Sequence, residues 1–144
     1  MAKDFFSKNQ QDQIVESIKI AERNTSGEIQ LHVEEYCKLD PIERAIEVFS
    51  HLEIHKTELK NGVLFYLAVK DKKFAIIGDE GINKLVPDDF WETIKSEMKS
   101  NFKAGRFCEG ICEGILKAGE QLKMHFPYQA NDSNELSDEI SFGQ

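Results

Sequence analysis

Long apolar runs are missing from this chain. No stretch approaches the ~20 consecutive apolar residues that cross a bilayer. The start, Met1-Ala2-Lys3-Asp4-Phe5-Phe6, has neither the apolar core nor the small-residue cleavage pattern of a secretory signal. The expectation is a soluble chain in the cytoplasm. Cysteine is scarce too: Cys37, Cys108 and Cys112 are an odd number without framework spacing, which excludes a disulfide-stapled scaffold. Positive charge is short, with 18 Lys and Arg against 26 Asp and Glu and a net charge of −8. Nucleic acid demands a basic surface, and the longest basic cluster (Lys70, Lys72, Lys73) is interrupted by Asp71. Neither nucleic acid nor membrane is expected as a partner, whereas an acidic balance suits a chain that collects cations. Phosphate loops are absent as well: Gly105, Gly110 and Gly114 fit no Walker or G-x-G-x-x-G pattern. Asp132-Ser133-Asn134 starts like an EF-hand but lacks its glycine and closing Glu. No Ser-His-Asp order stands out.

What is present is enough for one domain of 144 residues. Ser7 with Gln10 reads as a capping box ahead of Ile14, Val15, Ile18 and Ala21 on one helical face. Residues 28–33 alternate, with Ile29, Leu31 and Val33 on one side and Gln30 and His32 on the other, which predicts a strand with one apolar face. Asp40-Pro41-Ile42-Glu43 is a strong helix start. Residues 63–69 are almost continuously apolar and predict a central strand covered on both faces. Asp71-Lys72-Lys73 turns into a third strand at 74–77. Asp89 with Glu92 reads as another capping box before Phe90, Ile94 and Met98. A last helix carries Ile111, Ile115, Ala118 and Leu122 and ends at Phe126-Pro127. The order α-β-α-β-β-α-α predicts an α/β fold: a parallel crossover pair, an antiparallel third strand and helices on both faces of a small mixed sheet. Residues 1–127 form the domain, and 128–144 form an acidic tail that Leu136, Ile140 or Phe142 would have to dock.

This topology decides which acids meet. The hairpin returns Gly78-Asp79-Glu80-Gly81 to the side of the sheet where Ser26-Gly27-Glu28 lies. Glycines there let the chain turn tightly and present carbonyls. Glu28, Asp79, Glu80, Asp88 and Asp89 are the candidate ligands of a divalent cation. Ca²⁺ takes six to eight oxygens in tolerant geometry, and Mg²⁺ fits a tighter octahedron less naturally. Asp88 or Asp89 also has a plain helix-capping role. A rival cluster, Glu34, Glu35 and Asp40 with Asp71 near, lies at the opposite end of the sheet, where ligands of open α/β sheets collect. It ranks second, because Asp40 caps a helix and adjacent Glu34 and Glu35 face opposite ways. His51 and His55 lack the zincin order, and Cys108 and Cys112 read as packing residues.

Thr25-Ser26-Gly27-Glu28-Ile29, Asn61-Gly62-Val63-Leu64-Phe65, Gly78-Asp79-Glu80-Gly81-Ile82 and Phe102-Lys103-Ala104-Gly105-Arg106-Phe107-Cys108-Glu109-Gly110-Ile111 together resemble the TPM domain family. The ending Leu122-Lys123-Met124-His125-Phe126-Pro127, with Asn134-Glu135-Leu136, resembles its stand-alone bacterial branch. The resemblance implies a three-layer α/β/α sandwich around a mixed sheet of three to four strands. It implies a divalent metal, Ca²⁺ first and Mg²⁺ second, in loops at one sheet edge, and it adds Glu109 as an outer contact. Acid phosphatase activity, which has been attributed to plant members, is implied as an alternative. Only Arg23 and Arg106 offer themselves there as phosphate clamps. A non-catalytic protein-interaction module, with the acidic tail as its recognition segment, is the remaining alternative.

Overall fold

The computed structural model describes residues 1–128 and 136–143. Helix α1 (Lys8–Ala21) starts where Ser7 and Gln10 close the capping box in both directions. It buries Ile14, Ile18 and Ala21. Strand β1 (Glu28–Glu34) follows, then α2 (Pro41–His51), where the Asp40 side chain accepts the Ile42 N–H. Strand β2 (Gly62–Ala68) runs parallel to β1 with Glu28 opposite Gly62 and Glu34 opposite Ala68. A hairpin leads to β3 (Lys73–Gly78), antiparallel to β2. Helices α3 (Glu80–Asn83), α4 (Phe90–Lys103) and α5 (Phe107–His125) follow. A final short strand, β4 (Ser141–Phe142), adds parallel to the free edge of β1, so the sheet order is β3-β2-β1-β4.

The expected three-layer α/β architecture is present, with four strands. One core joins α1, α4 and α5 to the face of the sheet that carries Ile29, Leu31, Val33 and Phe65. The other joins α2 to Leu64, Tyr66, Ala68 and Ala75. In the described part of the acidic tail the three named side chains do dock: Ile140 and Phe142 pack on the first core and Leu136 on the second. All three cysteines are free thiols, and burial, first of all, pushes Cys108 up to about 12. Among the described residues, no helix is long and apolar enough to cross a membrane.

Two local expectations change. Asp89 stands at the start of α4 without any side-chain cap bond. Its backbone (φ −93°, ψ 5°) is not the extended conformation from which a capping carboxylate reaches the second or third N–H. The glycines bracketing Asp79 and Glu80 have another purpose than left-handed turning, since only Gly105 among the described glycines has positive φ. A Cβ on Gly81 would stand 2.3 Å from the Leu59 carbonyl oxygen, and one on Gly78 would stand 2.6 Å from the Trp91 ring. These are clearance glycines that seat α3 and α4 against neighbouring segments.

Gly119 does the same where α1 crosses α5. A Cβ there would meet Ala21 Cβ at 2.6 Å and Cα at 2.7 Å, with no flexible side chain to give way. Gly119→Ala should therefore cost about 1–3 kcal/mol as overpacking. Thermal unfolding should show this as a Tm lower by roughly 3–9 °C.

Candidate functional site

The apolar face of β1 is buried, as its alternation requires. Its other face is buried too: Glu28, Gln30, His32 and Glu34 are only 2%, 8%, 7% and 4% exposed. A buried polar row is costly unless its groups are bonded, so its partners locate the chemistry. The row has an acidic end at Glu28 and a hydrogen-bonded end at His32 and Glu34.

At the acidic end, the turn from α1 into β1 is pinned to the end of α5. Thr25 Oγ1 donates to the carbonyls of Leu122 and Phe126 and accepts the Gly27 N–H. Gly27 lets Leu122 sit 2.6 Å from where a Cβ would stand. This brings Glu22, just past the end of α1, back to β1, where its Oε2 accepts the Ile29 N–H at 2.8 Å. Glu28 Oε1 accepts the Leu136 N–H at 2.5 Å, which holds the C-terminal segment and Asp138 nearby. Burial first, then a hydrogen bond to Asp138, pushes the Glu22 carboxyl up to about 9, with the Glu28 charge adding to the effect. Glu22 thus carries a proton at neutral pH.

Of the acids nominated from sequence, Glu28 and Asp79 reach this end of the sheet on one face, either side of Gly62. Ile54 fills the space over Gly62, its Cγ2 2.5 Å from where a Cβ would be. Asp79 Oδ1 accepts the Glu80 N–H and caps α3, while its buried Oδ2 has no hydrogen-bond partner among the described residues. Glu80, Asp88 and Asp89 are exposed. Glu109 pairs with Arg106 in the first turn of α5, about 20 Å along the helix from Leu122 at 1.5 Å per residue. Among the described residues, no three His, Cys, Asp or Glu side chains stand in metal-holding geometry. Glu22 and Asp138 are the acids that sequence reasoning missed. Glu22 did carry a signal: an acid at a helix C-terminus opposes the macrodipole.

At the other end, the rival cluster disperses. Glu35 pairs with the N-terminal amine and Lys70, Asp40 caps α2, and Asp71 accepts the Cys37 N–H. Glu34 instead anchors a network. Arg44 grips it with Nε at 3.0 Å and Nη2 at 2.6 Å, and the Tyr66 hydroxyl donates at 2.5 Å. His32 Nε2 lies 3.1 Å from Glu34 Oε1, and His32 Nδ1 lies 2.8 Å from Ser141 Oγ. Burial alone would raise Glu34, but the hydrogen bonds from Arg44, Tyr66 and His32 overcome it and hold the carboxyl near about 2. Burial lowers His32, against the opposing pull of Glu34. The His32–Glu34 contact at neutral pH is therefore a hydrogen bond from a neutral ring. His32, Glu34, Arg44 and Ser141 line a cavity of about 580 Å³ beside the carboxyl end of β1.

Residues 2–121 match the TPM domain family. Among solved structures, the chain is similar to the BA42 protein of the psychrophilic bacterium Bizionia argentinensis, with 45% identity and a TM-score of 0.90 over 98% of this chain and 97% of that one. The N-terminal domain of a protein from P. gingivalis has 15% identity and a TM-score of 0.71 over 88% and 83% of the two chains. The N-terminal domain of the cg2496 protein of Corynebacterium glutamicum has 11% identity and a TM-score of 0.65 over 82% and 74%. The last two likenesses show the fold alone. No curated protein matches.

Proposed function

Since this chain belongs to the TPM domain family, we propose that it is a TPM domain that binds a divalent cation, Ca²⁺ by preference, at the acidic end of β1. The observation that carries this reading is the meeting of half-buried Glu22 and Asp138 beside buried Glu28. Carboxyls gathered away from water need positive charge. In the described arrangement that need is met in part by a proton on Glu22. A bound cation would supply it instead, and an all-oxygen donor set is what Ca²⁺ takes. Glu22 has to give up its proton and turn from the Ile29 amide to become a ligand, so cation binding strengthens as pH rises. Of the acids nominated from sequence, Glu28 belongs to this set and Asp79 is the reserve, with an oxygen still unpartnered across Gly62. Glu80, Asp88, Asp89 and Glu109 stand outside it. The phosphatase alternative gains no support from its clamps, because Arg23 pairs with Glu16 and Arg106 with Glu109.

Thermal unfolding in Ca²⁺ and in chelator tests the proposal. Free Ca²⁺ at a hundred times its Kd would add about 2.7 kcal/mol, read as a Tm rise of roughly 8 °C. Glu28→Gln should remove most of that rise. Glu22 adds a pH signature. Its folded carboxyl is raised above the unfolded value of about 4.3, so its contribution is present below that pH and is lost as pH climbs toward about 9. Metal-free Tm should fall from pH 6 to 9, Ca²⁺ should restore it, and Glu22→Gln should flatten the slope. An unchanged Tm at millimolar Ca²⁺ and pH 8 would refute the cation site.

A further inference from the structure

The hydrogen-bonded end of the polar row contains an arrangement that cation binding does not use. His32 and Glu34 are two apart on one face of β1, and Ser141 stands opposite His32 in β4. Hydroxyl, imidazole and carboxylate therefore form a line, with Ser141 Oγ 2.8 Å from His32 Nδ1 and His32 Nε2 3.1 Å from Glu34 Oε1. The proton positions follow from chemistry. Ionised Glu34 has no proton to give, so His32 Nε2–H donates to it. The ring is neutral, so Nδ1 offers a lone pair, and the Ser141 hydroxyl donates to it. This is the order of a Ser-His-acid hydrolase, with the two ring nitrogens exchanged relative to the serine-protease pattern. Gly143 seals the line: a Cβ there would lie 2.7 Å from Glu34 Oε1 and 3.0 Å from His32 Nε2. Ser141 is half-buried, and all three side chains face the 580 Å³ cavity, a volume that suits a small ligand.

We propose that this cavity is an acyl-transfer site for a small carboxylic ester, with Ser141 as nucleophile, His32 as its general base and Glu34 as the residue that positions His32. Ser141 Oγ bonds to the ester carbonyl carbon while its proton passes to His32 Nδ1. The carbon–oxygen bond to the leaving alcohol then breaks, and His32 returns that proton to the departing oxygen. Water next attacks the acyl-Ser141, gives a proton to His32 and releases the carboxylic acid. Ser141 regains its proton from His32. Arg44 lines the same cavity, and three of its five N–H groups bond Glu34 and Glu47. The remaining two are the donors for the developing oxyanion.

A small fluorophosphonate tests this on the full chain, because Ser141 attack forms an O–P bond, expels fluoride and leaves an adduct that peptide mass mapping locates. The expected result is one adduct per chain, on Ser141, absent from Ser141→Ala. His32→Gln, checked by thermal unfolding to be folded, should label at least about 100-fold more slowly, as expected for loss of a general base. The charged or titratable groups around His32 are Glu34, Arg44, His51 and Tyr66. Glu34→Gln removes the neighbour that raises His32, so the pH midpoint of labelling should move down. No adduct, an adduct elsewhere, wild-type labelling by folded His32→Gln, or an unmoved midpoint in Glu34→Gln would each overturn the assignment. Calcium response does not enter any of these outcomes.

Discussion

Glu34→Ala should destabilise the protein by about 1–3 kcal/mol, the range for leaving buried donors without their acceptor, and lower Tm by roughly 3–9 °C. Glu34 is 4% exposed and accepts from three different side chains. Its loss leaves the Tyr66 hydroxyl and the His32 Nε2–H without their acceptor, while the Arg44 guanidinium, 36% exposed, is rehydrated in part from the cavity. Glu34→Leu combined with Arg44→Met should recover much of the loss, because a buried pair exchanged for apolar groups is often neutral. The pH dependence has a defined sign. The folded carboxyl is depressed to about 2, so its contribution is present above the unfolded value of about 4.3 and is lost as pH falls from there through about 2. Glu34→Ala should lack that part of the acid limb. Circular-dichroism melts from pH 2 to 7 on wild type and variant measure both effects. A Tm within about 3 °C of wild type at pH 7 would mean the network is not holding the sheet as described.

Much of the fold was legible because its signals are local. The Ser7–Gln10 box, the Asp40-Pro41 start, the alternation in β1 and the apolar run of β2 each act within one element, and each element is present. What sequence did not reveal depends on distant chain. β4 is two residues long and pairs with β1 across more than a hundred residues, so no periodicity announces it. Gly78 and Gly81 look like turn glycines, yet they are set by clearance from Trp91 and from the Leu59 carbonyl. Asp89 has the right residue type for a cap but the wrong backbone.

The candidate sites divide in the same way. Alternation in β1 distinguishes an apolar from a polar face, but a polar face ordinarily meets water. Nothing near His32 signals that Ser141 and Gly143 cover it. The hairpin argument did bring Asp79 to the Glu28 end. It did not foresee that Ile54 would occupy the space over Gly62, or that an acid from the end of α1 would join the cluster. The preference of ligands for carboxyl ends of parallel strands pointed toward Glu34. Asp40 and Glu35, its supposed companions, proved to be a cap and a surface ion pair, and the true companions Arg44 and Tyr66 lie on other elements.

Ile140→Ala with Phe142→Ala should impair both sites at once, although Ile140 belongs to neither and Phe142 only adds to the cavity lining. Residues 136–143 contribute Asp138 and the Leu136 N–H to the acidic end and Ser141 to the cavity. Their docking is a small difference between large terms. Ordering eight backbone residues costs on the order of 1 kcal/mol each. The opposing gains come from three partly buried apolar side chains and a few hydrogen bonds. Trimming two of the three anchors removes roughly 2–3 kcal/mol, as about half the value of full burial for each. That shifts the docked population by roughly 30- to 150-fold at 1.4 kcal/mol per tenfold. The Gly143 N–H, which donates to the Val33 carbonyl, should lose hydrogen-exchange protection by that factor. The calcium-dependent Tm rise and the Ser141 labelling rate should both fall with it, while α1, α4 and α5 keep their slow-exchanging amides. If the Gly143 amide exchanges faster but calcium still raises Tm in full, then Asp138 and Leu136 are not part of the cation site and Glu22 and Glu28 hold it without them. If protection is unchanged, the segment is held by its polar bonds to β1 rather than by its apolar anchors.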